Sequence, residues 1–236
     1  MKIALLGYGK MGREVEEIAV QRGHQISLRA GRAEMKARTD GILLNSDIAI
    51  EFSIPEAVSK NIHFCFDSGI AIVVGSTGWY QSFEEIEKRC RLEGHSLFYA
   101  TNFSIGVNLF WKIAEQMTKI MKMNPEYTPR IGETHHIHKK DMPSGTAIST
   151  AEVIIKNDHR WLGWELGLGT NQKIGIDVQR TGETHGYHEI KYSSETDEIS
   201  LHHNALSRKG FALGAVLAAE FLHGKKGIFT MNDLLK

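Results

Sequence analysis

Cysteine is scarce in this sequence, neither sign of charge prevails, and no apolar run is long. The 236 residues include two cysteines, Cys65 and Cys90, which are far apart and match no metal-binding spacing. Each lies in a stretch of helical pattern, where a reduced thiol packed near a core is expected. Such sparing use suits a reducing cytosol. Basic and acidic residues number 28 each, so the positive excess of a nucleic-acid binder is missing and no such partner is expected. Nothing approaches the roughly 20 apolar residues that span a bilayer, so no membrane partner is expected. The opening MKIALLGYGKMG breaks its apolar run with glycines too early for a secretory leader, and a cytoplasmic location is the expectation. Repeats, low-complexity tracts and long flexible linkers are also absent, so any domains should join by short hinges.

What is present fits an ordinary folded protein, 42% hydrophobic and 24% charged, long enough for two modest domains. Strand patterns over 2–6, 25–28, 47–52, 71–74 and 96–99 alternate with helical patterns over 11–21, 55–66 and 81–93. That alternation predicts an α/β fold, a Rossmann-type doubly wound parallel sheet with helices on both faces. The first helix presents Met11, Val15, Ile18 and Ala19 on one face. After residue 104 the rhythm changes. A longer helix over 105–121, a strand over 128–134 and a helix over 145–156 precede strands over 173–180, 185–193 and 198–204. This reads as a C-terminal α+β domain with a largely antiparallel sheet. A helix over 211–223 is expected to pack back on the first domain. The predicted division is 1–104 plus 209–236 for dinucleotide binding, and 105–208 for substrate binding and tetramerisation.

Gly7-Tyr8-Gly9-Lys10-Met11-Gly12 is a G-x-G-x-x-G turn that follows a predicted strand and opens a predicted helix, the context in which the motif is informative. Gly7 permits the tight turn, Gly9 lets backbone approach a pyrophosphate, and Gly12 lets the helix pack closely. The helix N-terminus offers N–H groups and partial positive charge to the phosphates. At the end of the second strand, where a carboxylate would bind the ribose 2′-hydroxyl, stands Leu28-Arg29-Ala30-Gly31-Arg32. Arg29 and Arg32 suit a 2′-phosphate, so the cofactor is expected to be NADPH or NADH, leaning to NADPH; two solvated arginines are the plainer alternative. Gly75-Ser76-Thr77-Gly78 and Thr101-Asn102-Phe103-Ser104 follow the fourth and fifth strands, where ligands of parallel sheets gather. Each is also readable as only a turn.

Glu133-Thr134-His135-His136-Ile137-His138-Lys139-Lys140-Asp141-Met142-Pro143-Ser144-Gly145-Thr146-Ala147 is the most informative stretch. Ser144 is placed to cap a helix, with the N–H groups of Gly145 and Thr146 pointing outward as a carboxylate site. His135 and Lys139, four apart, fall on one side of a strand or helix and can protonate a substrate as hydride arrives. Two other readings stand beside this: HHxH with Asp141 around zinc, disfavoured by the absence of a partner motif, and a solvated polar loop. No metal is expected. His185, His188, His202 and His203 read as strand surface or interdomain polar groups.

Together, GYGKMG, GSTG, ATNFSIGVN and ETHHIHKKDMPSGTA, with the late RTGETHGYHEI and SRKGFALGA, resemble the 4-hydroxy-tetrahydrodipicolinate reductase family, also called dihydrodipicolinate reductase. The motifs occur in family order and cover most of the chain. The resemblance implies a homotetramer and NAD(P)H-dependent reduction of a small dicarboxylate in lysine and diaminopimelate biosynthesis. It implies His135 as proton donor and acceptor, Lys139 as second proton donor, and His136, Gly145 and Thr146 as substrate contacts. Gly7 to Gly12, Gly75 to Thr77 and Thr101 to Ser104 match its dinucleotide contacts. Domain closure would bring the nicotinamide over the substrate ring. Ile137 stands where the family often has arginine, the ribose acid is missing, and the chain is short between the second and third strands. Another dehydrogenase on this scaffold, or an NAD(P)-binding sensor without turnover, remain the alternatives.

Overall fold

The computed structural model describes residues 1–31 and 45–236; Arg32 lies outside them. In chain order the elements are β1 (Lys2–Leu6), α1 (Lys10–Gln21), β2 (Gln25–Ala30), β3 (Ile48–Glu51), α2 (Pro55–Asp67), β4 (Ala71–Val74), α3 (Phe83–Glu93) and β5 (Ser96–Tyr99). There follow α4 (Ile105–Met121), β6 (Thr128–His135), α5 (Gly145–Asn157), β7 (Gly163–Leu166), β8 (Lys173–Arg180), β9 (Tyr187–Ser193) and β10 (Glu198–Asn204). The chain closes with α6 (Lys209–Leu222), β11 (Gly227–Phe229) and α7 (Met231–Leu234). Two compact units result: Met1–Ile105 with Lys209–Lys236, and Gly106–Arg208.

The first unit is the doubly wound parallel sheet that the alternating pattern predicts. Its strand order is β11-β5-β4-β3-β1-β2, and every pairing is parallel. The sheet strands are short apolar runs because both faces are covered. Residues alternate along each strand between two cores. Ile3, Leu5, Ile48, Ile50, Val73 and Phe98 pack with Val15 and Ala19 of α1 and with the alanine-rich face of α6. Ala4, Leu6, Ala49, Ile72, Val74 and Leu97 pack with Val58, Ile62 and Cys65 of α2 and with Ile86 and Cys90 of α3. Both thiols are free and buried, as their helical context predicts, and burial pushes each pKa upward. Connections run outward in both directions from the β1/β3 pair, which makes that boundary the switch point where ligands of such sheets bind. Residues 80–82 form a turn of 3₁₀ helix ahead of α3 rather than the start of an α-helix.

The second unit departs from expectation in its sheet. The order is β10-β9-β6-β8-β7. β9 is antiparallel to both β6 and β10, whereas β8 runs parallel to β6 and to β7. The sheet is therefore evenly mixed, not largely antiparallel. α5 leads out of β6 and carries the chain to the other edge, where β7, unforeseen in the sequence, pairs with β8. Phe110 and Ala114 of α4 and Ala147, Ala151 and Ile154 of α5 cover one sheet face, meeting Ile131, Ile174, Ile176, Ile190 and Tyr192. The buried Tyr192 hydroxyl donates to Thr118 Oγ1 at 3.1 Å, which satisfies it within the core.

Candidate active site

In the first unit, the glycine-rich turn links β1 to α1 as predicted. Gly7 has φ +99°, and a Cβ there would land on the Phe52 carbonyl group. Gly12 is required for a different close approach, because its Cβ would collide with the Gly7 carbonyl oxygen. A Cβ on Gly9 would meet nothing within 4 Å, so the backbone there faces open space. Gly9 is also the N-cap of α1 and supplies no side-chain cap. A helix start without a cap and with open backbone in front fits the phosphates of a dinucleotide. Lys10 is exposed, while Met11 packs partly against the core.

The other two turns stand at the carboxyl ends of the neighbouring strands. The Gly75 amide donates to the Glu51 carbonyl at 2.9 Å, and a Cβ at Gly75 would strike the Phe52 ring. Ser76 Oγ donates to the Ser53 carbonyl at 3.3 Å, and Thr77 is exposed. Glu51, fully buried at the end of β3, gathers this edge. It accepts hydrogen bonds from the Ser53 amide at 2.9 Å, from the Ser53 hydroxyl, and from Asn61 Nδ2 at 3.2 Å. Burial raises its pKa, and these donors offset part of that rise. Thr101 is exposed, and Asn102 Oδ1 accepts from the Ser104 amide at 2.9 Å. Phe103 instead buries its ring in the core, 5.9 Å from the Phe52 ring centroid.

Arg29 is not one of two freely solvated arginines. Its guanidinium donates to Glu16 of α1 through Nε, at 2.9 Å, and through Nη2. The Tyr8 hydroxyl donates to the other Glu16 oxygen.

In the second unit the candidate side chains follow from strand phase. Along β6, Pro129, Ile131, Glu133 and His135 face inward; along β9, His188, Ile190 and Tyr192 do. Register pairs Glu133 with His188. One sheet face thus changes from apolar to polar along its length. Glu133 is buried, and its Oε1 accepts from the Ser144 amide at 3.0 Å and from Arg180 Nη2 at 3.1 Å. Its Oε2 lies 3.4 Å from His135 Nδ1 and 3.7 Å from His188 Nε2. Burial favours protonation of this carboxylate, but the surrounding donors from His135, Ser144 and Arg180 prevail and bring its pKa down to about 2. His188, read from sequence as surface or interdomain, is instead buried, and burial together with His135 pulls its pKa down to about 3. A Cβ on Gly186 would come 3.2 Å from His135 Nε2, so glycine keeps that edge of the ring uncrowded.

The spacing argument for His135 and Lys139 needs correction. They share neither a strand nor a helix. β6 ends at His135, and a tight turn follows, closed by the Lys139 amide donating to the His136 carbonyl at 3.1 Å. Arg180 fastens this loop to the sheet by also donating to the Asp141 carbonyl at 2.6 Å. Lys139 pairs with Asp141 at 2.6 Å. Partial burial, followed by the charge of Arg208, lowers the pKa of His136. Ser144 caps α5 as expected, its Oγ accepting from the Ala147 amide at 3.2 Å. That hydroxyl also lies 3.2 Å from His188 Nε2. Gly145, the first helical residue, is exposed, with nothing within 4 Å of an added Cβ.

The HHxH set with Asp141 is not gathered. His138 is exposed, with Glu183 at 4.0 Å, and Asp141 is engaged by Lys139. Among the described residues, the group with ligand atoms close enough for one ion is Glu133, His135 and His188. Sequence reading missed Glu133, His188, Arg180, Glu51 and Glu16 as site residues. For His188 a signal was available: it is in phase with Ile190 and Tyr192. For Glu51 it was a lone carboxylate in an apolar strand.

No helix among the described residues is long and apolar enough to cross a membrane. Residues 1–103 match the family model described as dihydrodipicolinate reductase, N-terminus, and residues 106–235 match that for the C-terminus. A protein of Christiangramia forsetii named 4-hydroxy-tetrahydrodipicolinate reductase is 41% identical, the alignment covering 100% of this chain and 98% of the relative. One of the same name from Rickettsia rickettsii is 35% identical over 97% and 95% of the two chains. In fold, the chain is similar to a dipicolinate-bound dihydrodipicolinate reductase from Paenisporosarcina sp. TG-14 (TM-score 0.81, 20% identity, 98% and 97% covered). A probable dehydrogenase from Thermotoga maritima is more distant (TM-score 0.59, 12% identity, 99% and 92% covered). With both family models matched in sequence order and full-length relatives above 30% identity, this chain belongs to the dihydrodipicolinate reductase family.

Proposed function

We propose that the chain reduces 4-hydroxy-tetrahydrodipicolinate to tetrahydrodipicolinate with NADPH or NADH, in lysine and diaminopimelate biosynthesis. The carrying observation is the buried Glu133–His135–His188 group beside the Ser144-capped start of α5, in a chain of this family. The reaction replaces a carbon–hydroxyl bond with a carbon–hydrogen bond. One hydride and one proton enter for each water that leaves. The nicotinamide, when bound, supplies the hydride. The open backbone at Gly9 and the N-terminus of α1 hold the phosphates, with Gly75 to Thr77 and Thr101 to Ser104 at the neighbouring strand ends.

The remaining work belongs to the second unit. Glu133 stays ionised and faces His135 Nδ1, which fixes the ring and leaves Nε2 to exchange the proton. Lys139 is the second donor. The first turn of α5, with Gly145 and Thr146, takes a substrate carboxylate through backbone N–H groups and helix dipole. Arg208 adds positive charge for a dicarboxylate, and His136, kept neutral by burial and by that same arginine, offers a hydrogen bond. The lean toward NADPH rests on Arg29 at the end of β2, where no carboxylate stands. A homotetramer fits the exposed edge strand β10 with Ile199, an edge that favours further pairing; light scattering of the purified protein checks it. A cytoplasmic location follows from the same role. The deciding assay follows NADPH and NADH oxidation with substrate generated in situ by the preceding synthase. Oxidation that depends on that synthase is expected; none with either nucleotide would overturn the reading.

A further inference from the structure

Dinucleotide-binding sheets commonly end β2 with an acid that binds the adenosine ribose. Here Arg29 and Ala30 end it, and the Gly7 amide donates to the Ala30 carbonyl at 2.9 Å, placing the glycine-rich turn beside this strand end. Among the described residues, the carboxylate at this corner comes from another element. Glu16, in the second turn of α1, holds Arg29 by two donors on one guanidinium edge and takes the hydroxyl of Tyr8, the residue between the turn's first two glycines. Both Glu16 oxygens are engaged. The Arg29 and Tyr8 hydrogen bonds lower the pKa of Glu16 and keep it charged, and the tyrosine stays protonated as a donor. The Arg29 side chain remains 46% exposed, so an incoming ligand can meet it.

We infer that Glu16 sets the nucleotide selectivity of this chain, pairing with Arg29 so that its charge is offset before any 2′-phosphate arrives. The inference rests on the dinucleotide reading of this unit. Glu16 uses two of the five donors of the guanidinium. A 2′-phosphate that takes the remaining edge must lie near a fixed carboxylate, and like charges at close range oppose each other. The uncharged 2′-hydroxyl of NADH carries no such penalty. Glu16 therefore weakens the advantage that Arg29 gives to NADPH and leaves both nucleotides usable. Tyr8 is a positioning residue, because its hydrogen bond holds the Glu16 carboxylate toward the strand end.

The test is direct binding by calorimetry, with no substrate present. NADPH, NADH, adenosine 2′,5′-bisphosphate and 5′-AMP are titrated into wild type, Glu16→Gln, Arg29→Ala and the double variant. Glu16→Gln should tighten the two 2′-phosphorylated ligands roughly three- to tenfold, a modest gain because the pair is partly solvated, while NADH and 5′-AMP change less than twofold. Tyr8→Phe should give a smaller shift of the same sign. In the double variant the gain should vanish, which assigns it to Arg29. Unchanged selectivity in a Glu16→Gln protein that still binds NADH would overturn the inference alone. So would a gain that survives loss of Arg29. Failure of wild type to bind any of the four would remove the dinucleotide reading, and this inference with it.

Discussion

The two units solve opposite chemical problems with opposite materials. The candidate cofactor site of the first unit is made chiefly of backbone: Gly7, Gly9 and Gly12 with the uncapped start of α1. Its polar side chains brace strand ends from the side, as Glu51 and Glu16 do. The candidate site of the second unit is made of side chains sunk into a sheet face, with Glu133, His135, His188 and Ser144 all buried. Phosphate recognition needs fixed N–H groups and room, which glycine provides. Proton transfer needs groups whose protonation states are separated by environment. The second unit achieves this with an ionised Glu133 beside a neutral His188.

If that contrast is right, substitutions should damage different quantities in the two units. The largest expected effect is on turnover. His135→Gln should reduce kcat by roughly 10²- to 10⁴-fold, the range for loss of a general acid, with nucleotide affinity retained. Equal loss of both would dissolve the contrast. Next is Gly7→Ala, which forces an L-residue to a φ of +99° and pushes a Cβ into Phe52. We expect a cost of about 2–5 kcal/mol in thermal or denaturant unfolding, with nucleotide binding lost before any change at the histidine group. The smallest effect sharpens the comparison through acid. The pKa of His188 is depressed in the fold, from 6.5 to about 3, so the unfolded chain binds more protons between those values. Stability from this group is complete above pH 6.5 and is lost as pH falls toward 3. The carboxylate of Glu133, also depressed, adds a loss below 4.5. His188→Asn should flatten the upper part of that acid slope in stability measured against pH. An unaltered slope would show that His188 carries no linkage.

Much of this arrangement was legible in residue order. β4, β5, α4, β8 and β10 fall where their apolar periods and bounding turns place them, because local pattern and tertiary demand agree there. Edge pieces escaped: β7 (Gly-Trp-Glu-Leu) and β11 (Gly-Ile-Phe) each open on glycine and carry two apolar residues, against the unbroken Ala-Ile-Val-Val of β4. The parallel pairing of β8 with β6 was also hidden, since a partner chosen across the α5 crossover leaves no local trace. In the site, the sequence exposes the histidine-rich loop and the Ser144 cap. It conceals the ion pair of Glu16 and Arg29, which depends on how α1 lies beside β2. His188 was a misjudgement of phase: its neighbours two and four places on are core residues, and an inward-facing histidine needs a partner. The Ser144 hydroxyl, 3.2 Å from its Nε2, is that partner.

The alanine-rich helix α6 packs into the core of the first unit, and Gly214 has no Cβ because the Phe103 carbonyl occupies its place. The final strand β11 then extends the sheet beside β5. On the ribosome, the apolar sheet face built by residues 1–99 therefore waits, covered only in part by α1, while the whole intervening unit is synthesised. Continuous in sequence, that intervening unit has all its own pieces in hand first. The order of synthesis thus favours a nascent protein whose Gly106–Arg208 unit matures before the unit that surrounds it in sequence is sealed.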